Sequence, residues 1–158
     1  MIDSRETVTT AKGKTAAPLT RQEVEAFAAE WYRKLDRHAP PEELAAMVAD
    51  DVELQLPEGP VIGAAAFRAW YEGVIRIFFD EIHVVDRTAV SWKDQRALVK
   101  VLVNWQARRW SPPAARSLWI GFEADQDWEM IRSPASGRPI IARYVVNALS
   151  PMPGSPPL

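Results

Sequence analysis

The stretch "IFFDEIHVVD", Ile77–Asp86, is where the chain changes period. Before it, Phe67, Trp70, Tyr71, Val74, Ile77 and Phe78 recur at helical spacing within "AAAFRAWYEGVIRIFFDE", which predicts one amphipathic helix. From Glu81 onward the alternation runs in steps of two, as side chains do on a half-buried strand. Strands are expected near residues 82–92, 96–110, 117–132 and 139–149. Helices first and long antiparallel strands afterwards predict an α+β domain, with three N-terminal helices packed on one side of a sheet.

Upstream, "LTRQEVEAFAAEWYRKLDRHAPP" opens a first helix. Thr20 and Glu23 have capping-box spacing, and Val24, Phe27, Ala28, Trp31 and Leu35 form its apolar face. Pro40 and Pro41 stop it, and "PEELAAMV" starts a short second helix with Pro41 in its first turn. "DDVELQLP", Asp50–Pro57, alternates Val52, Leu54 and Leu56 with Glu53 and Gln55, a half-buried strand, and "EGPVIG" reads as a turn. Downstream, "KDQ" is a tight turn, while "SPPAAR" and "SPASGRP" are longer loops. In "RALVKVLVNWQARRW" one face carries Ala97, Val99, Val101, Val103 and Trp105; Leu118, Ile120, Phe122 and Ala124 share a face of the next strand, and Ile140, Ala142, Tyr144 and Val146 of the last.

The 158 residues fit one domain, and 47 % apolar with 25 % charged residues is ordinary for a soluble globular chain. A formal net charge of −2 gives no global attraction to nucleic acid or to an anionic membrane. With no cysteine, disulfides and thiolate chemistry are excluded. Residues 1–18 read as a flexible arm without the apolar core of a signal peptide, 19–149 as the folded domain, and 150–158, with four prolines, as a tail. No run is long enough to span a membrane, so a cytoplasmic location is the expectation.

Two histidines are present, His38 and His83. His83 has two readings: a general acid/base, since imidazole titrates near pH ~6.5, or a strand residue bonded to main chain. Asp36, at the end of the first helix, is the candidate carboxylate to orient it, although a carboxylate sits poorly at the negative end of a helix dipole. Tyr32 could hold a substrate oxygen or simply pack. His38, before "APP", reads as an exposed linker residue. Trp31, Trp70, Trp105, Phe122 and Tyr144 have inward parity and are candidates to line a ligand pocket. Leu98, Leu102 and Trp119 lie on the opposite face, and apolar residues there predict a homodimer. No clustered metal ligands and no glycine-rich phosphate loop are apparent.

The order helix, helix, strand, helix, then four strands resembles the nuclear transport factor 2-like superfamily, including SnoaL-like polyketide cyclases, ketosteroid isomerase and scytalone dehydratase. The pieces that carry the resemblance are "MVADDVELQLPEGPVIGAAAFRAWYEGV" and "DWEMIRSPASGRPIIARYVV". It implies a cone-shaped α+β barrel, a strongly curved antiparallel sheet around the helices, with an apolar pocket. Leu56 falls where ketosteroid isomerase has its base aspartate, and Trp31 where it has an oxyanion tyrosine, so Leu56 is a lining residue here and steroid-type isomerisation is not expected. His83 and Asp36 resemble a histidine and an aspartate of scytalone dehydratase; its second histidine has no counterpart, the strand offering Trp105, Gln106 and Arg108. The resemblance thus implies a cofactor-independent isomerase, cyclase or dehydratase acting on a small, apolar, carbonyl-bearing metabolite. His83 and Asp36 would move a proton, and Tyr32 or the Trp31 indole N–H would hold an oxygen. The alternatives are a non-catalytic ligand-binding or assembly protein whose pocket is filled by tryptophans, and a structural subunit like the small β-subunit of ring-hydroxylating dioxygenases.

Overall fold

The computed structural model describes residues 17–158, so all but the last two residues of the expected N-terminal arm lie outside the described residues. Helix α1 (Arg21–Asp36) starts at Thr20, whose hydroxyl accepts from the Glu23 amide at 3.1 Å while the Glu23 carboxylate accepts from the Thr20 amide at 3.2 Å. This is the capping box that the spacing predicts. Arg132, from the far end of the sheet, clamps the same Glu23 with two guanidinium nitrogens, at 2.9 and 3.0 Å. The buried stripe of α1 is Val24, Phe27, Ala28, Trp31, Tyr32 and Leu35.

After the short α2 (Pro41–Ala45) come β1 (Val48–Leu56) and β2 (Gly59–Ile62), then α3 (Ala64–Ile77). Strand β2 is a departure from expectation. Only Pro57 and Glu58 turn; Gly59–Ile62 pairs back antiparallel on β1. Pro60 fits there because β2 is an edge strand, where a missing N–H costs little. Gly59, at φ +129°, takes a conformation that other residues rarely adopt. Helix α3 is shorter than its periodicity suggests. Phe78–Glu81 already belong to β3 (Phe78–Lys93), and Ile77 is exposed rather than on the packed face, which is held by Phe67 and Tyr71.

Strands β4 (Arg96–Arg109), β5 (Leu118–Arg132) and β6 (Pro139–Pro151) complete one six-stranded sheet of order β2-β1-β6-β5-β4-β3. Four of its five contacts are antiparallel; β1 meets β6 in parallel. The sheet is open, with β2 and β3 at its edges. Its inner face carries Ala97, Val99, Val101 and Val103 of β4 and Trp128 and Met130 of β5, all packed with the α1 stripe. In β6 an irregularity in pairing between Glu129 and Met130 brings both Ile140 and Ile141 into the buried set, so parity from Tyr144 does not carry through. Strand β6 also runs through Ser150 and Pro151, which were expected in the tail.

The segment beyond β6 continues along β5 for one more residue and then turns. The Met152 amide donates to Gly121 O at 2.9 Å, and the Gly121 amide donates to the Ser155 hydroxyl at 3.0 Å. Gly121 is needed there: a Cβ would come within 2.6 Å of the Trp119 ring and 2.7 Å of the Met152 sulfur. Among the described residues no helix is long and apolar enough to cross a membrane.

Candidate active site

Asp36 is the last residue of α1, and its carboxylate takes two hydrogen bonds from one residue of β3. His83 Nδ1 lies 2.6 Å from Asp36 Oδ1, and the His83 amide donates to Oδ2 at 3.1 Å. These two donors offset the unfavourable helix end. An ionised carboxylate only accepts, so Nδ1 carries the hydrogen and, in the neutral ring, Nε2 holds the free lone pair. Among the described residues nothing bonds to Nε2, and His83 lines a cavity that opens to solvent. Tyr32, one turn before Asp36, stacks on the imidazole at 4.8 Å between ring centroids, and Trp105, its register partner on β4, stacks at 6.1 Å. The ring is held in plane and in tautomer, with its side chain only 10 % exposed.

Two residues earlier on the same strand, Glu81 also lines the cavity, with its side chain 4 % exposed. Its Oε1 accepts from the Trp105 indole N–H at 3.1 Å, and its Oε2 lies 2.6 Å from His38 Nε2. Burying a carboxylate is costly unless it is paired, and these two groups pair it. The backbone works for this arrangement. The β3–β4 register slips between Phe79 and Ile82, opposite Arg108 and Gln106, and Asp80 sits at φ 51°. One extra residue lets Phe78 and Glu81 both point inward, the re-aiming that β-bulges perform beside sites. His38 also has a left-handed φ of 51° in the turn after α1, and Tyr71 of α3 pins that turn by donating to Ala39 O at 2.6 Å. Burial pushes the Tyr71 phenol up to about 12.

The cavity volume is about 130 Å³. An engineered apolar cavity of about 150 Å³ holds benzene, so this cavity is on the scale of one six-membered ring. Leu35, Leu56, Trp70, Val103, Trp105 and Tyr144 supply apolar wall. At the mouth, Trp70 Nε1 donates to Glu58 Oε1 at 2.9 Å, and Leu158 from the C-terminal segment lies against the opening. Gln126 is the remaining polar wall residue. Its Oε1 accepts from Tyr32 O–H at 2.7 Å and from Trp128 Nε1 at 3.1 Å. The indole N–H can only donate, which turns the amide oxygen towards Trp128 and makes Tyr32 the second donor, while the amide nitrogen is left for the Tyr144 hydroxyl beside it and for the cavity. Burial raises the Tyr144 and Tyr32 phenols well above their ordinary range, so both stay protonated.

Of the residues expected from sequence, His83 and Asp36 are brought together. Leu56, Trp70, Trp105 and Tyr144 line the cavity. Trp31 and Phe122 do not: Trp31 is enclosed among Phe27, Phe67, Trp128 and Tyr144, and Phe122 packs with Ala107 and Ile120. Inward parity places a side chain under the sheet without saying whether core or space lies above it. Tyr32 is also absent from the wall; its hydroxyl is spent on Gln126 and its ring on His83. Sequence reading missed Glu81 and Gln126, and left His38 as an exposed linker residue. Glu81 sits at the same strand parity as His83, the one signal that could have found it.

An open, curved sheet folded over α1 and α3, with polar groups in one apolar cavity, is the architecture of the nuclear transport factor 2-like superfamily. The chain belongs to the SnoaL-like domain family, whose pattern matches residues 28–146. Several solved structures share the fold. A protein of Novosphingobium aromaticivorans assigned as a candidate scytalone dehydratase is 20 % identical, with 79 % of this chain and 80 % of that one covered and a TM-score of 0.68. A type 2 hexachlorocyclohexane dehydrochlorinase is 16 % identical, with 87 % and 93 % covered and a TM-score of 0.68. ActVI-ORFA of Streptomyces coelicolor is 19 % identical, with 80 % and 94 % covered and a TM-score of 0.63. At such identities the likeness is one of fold. No curated protein matches the sequence.

Proposed function

We propose that this chain is a proton-transfer enzyme acting on a small, apolar ketone whose buried part is about one ring in size. His83 Nε2 takes a proton from the carbon beside the carbonyl, and Asp36 holds the imidazole in the tautomer that leaves Nε2 free. The carbonyl oxygen gains negative charge as the enolate forms. In this reading the neutral donors that receive it are the Gln126 amide nitrogen and the Tyr144 hydroxyl, both of residues in the cavity wall. They take the role that the sequence assigned to Tyr32 or Trp31. The apolar wall keeps water from competing for those donors. The observation that carries this reading is the Asp36–His83 pair at 2.6 Å with its free nitrogen at a cavity wall.

The likenesses to a candidate dehydratase and a dehydrochlorinase support chemistry that begins with such a proton abstraction. The test is deuterium exchange at the α-carbons of cyclohexanone in D2O, followed by NMR. The protein should accelerate exchange, and His83→Gln should cut the acceleration by about 100-fold or more, the usual worth of a general base. Exchange no faster than in buffer, or unaffected by His83→Gln, refutes the proposal.

A further inference from the structure

The cavity holds a second carboxylate–imidazole pair of opposite orientation. In the first, an imidazole faces the cavity and a carboxylate backs it; in the second, the Glu81 carboxylate faces the cavity and His38 backs it. Glu81 and His83 are two residues apart on one face of β3, so their Cβ atoms lie about 7 Å from one another. That span covers two adjacent carbons of a substrate with their substituents. Oε1 accepts from the Trp105 indole N–H, while Oε2 and His38 Nε2, 2.6 Å apart, share one proton, so Glu81 can hold a proton and keeps lone pairs for a group in the cavity. His38 is 27 % exposed against 4 % for Glu81, so it joins a buried acid to solvent.

From this juxtaposition we infer that Glu81 is a second catalytic residue and His38 its proton conduit, and that the reaction is elimination of water from a β-hydroxy ketone. This rests on His83 being the base. His83 Nε2 takes the α-proton, and the electrons of that C–H bond become the new C=C bond. The bond from the β-carbon to the hydroxyl oxygen breaks, its electron pair leaves with oxygen, and Glu81, which begins the cycle holding the proton it shares with His38, gives that proton to make water. Glu81 is then ionised and His83 protonated. Solvent reprotonates Glu81 through His38, and His83 returns its proton to solvent when the product leaves. No oxidant, reductant or other co-reactant is needed. An isomerisation confined to enolisation at one carbon would leave the buried Glu81–His38 pair without a task.

The probe is 3-hydroxycyclohexanone, which loses water to give cyclohex-2-enone, read by ultraviolet absorbance; cyclohexanone exchange in D2O reports the base alone. Glu81→Gln keeps an acceptor for the Trp105 indole, and near-ultraviolet circular dichroism checks its packing. The expected result is a loss of dehydration of about 100-fold or more, exceeding any loss of cyclohexanone exchange in the same variant by at least about tenfold. His38→Gln should lower dehydration in the same selective way. His83→Gln should abolish both. Wild-type protein that exchanges cyclohexanone but does not dehydrate the hydroxyketone overturns the elimination and leaves the base intact. Equal losses of both activities in Glu81→Gln and His38→Gln, or no loss in either, overturn the role of the pair. Wild-type protein that does neither reaction removes the base, and the second pair's role with it.

Discussion

Replacing Asp36 by Asn tests the tautomer argument with little change of shape. The wild-type carboxylate accepts twice, from His83 Nδ1 at 2.6 Å and from the His83 amide at 3.1 Å. An Asn side chain has one acceptor and one donor end, so it can serve only one of the two. If its oxygen faces the ring, its NH2 meets the backbone N–H, and a partly buried donor is orphaned at a cost of about 1–3 kcal/mol. If its oxygen faces the backbone, its NH2 meets Nδ1, which must become the acceptor, and the ring proton moves to Nε2. The second arrangement avoids the orphan and should dominate. A preference of about 1–3 kcal/mol leaves only about one molecule in 5 to one in 150 with Nε2 free. At pH 8, where imidazoles are ordinarily neutral, exchange of cyclohexanone should fall about 5- to 150-fold. Long-range proton–nitrogen NMR correlations should show the His83 proton moving from Nδ1 to Nε2. An Asp36→Asn protein that keeps the proton on Nδ1, or that changes tautomer without losing rate, would refute the mechanism.

Three further outcomes follow from the packing. Arg132 hydrogen-bonds Glu23 and holds its carboxyl below the usual 4.5, so this contact contributes stability above that pH and loses it as pH falls through the lowered folded value; urea unfolding of Glu23→Gln against pH should show a shallower acid decline than wild type. Gly121→Ala puts a methyl against the Trp119 ring and the Met152 sulfur, so it should destabilise by about 1–3 kcal/mol and speed amide exchange in the segment after β6, while an unchanged melting temperature would contradict the close approach. The proposed homodimer uses the outer sheet face where Leu98 and Leu102 lie half-buried, so Leu98→Glu with Leu102→Glu should shift sedimentation towards monomer, and unchanged sedimentation would place any interface elsewhere.

What the sequence determined by itself was local. Period and capping located α1, α3 and the four long strands to within a few residues, because one element's burial is written in its own spacing. It also made His83 and Asp36 a pair, through resemblance rather than through spacing, since 47 positions separate them. The tertiary structure decided the rest. Strand β2 was too short and too rich in Pro and Gly to show a period, and became a strand only because β1 offered it an edge. The parallel contact of β1 with β6 joins the two ends of the fold, which no local pattern reports. Trp31 and Phe122 share the inward parity of Trp105 and Tyr144, yet only the latter two meet space. Glu81 reached the cavity with Phe78 through one extra residue at Asp80, and met His38 across a turn held in a left-handed conformation. Side-chain direction along a strand is a local property; what stands opposite depends on how the whole sheet bends over its helices.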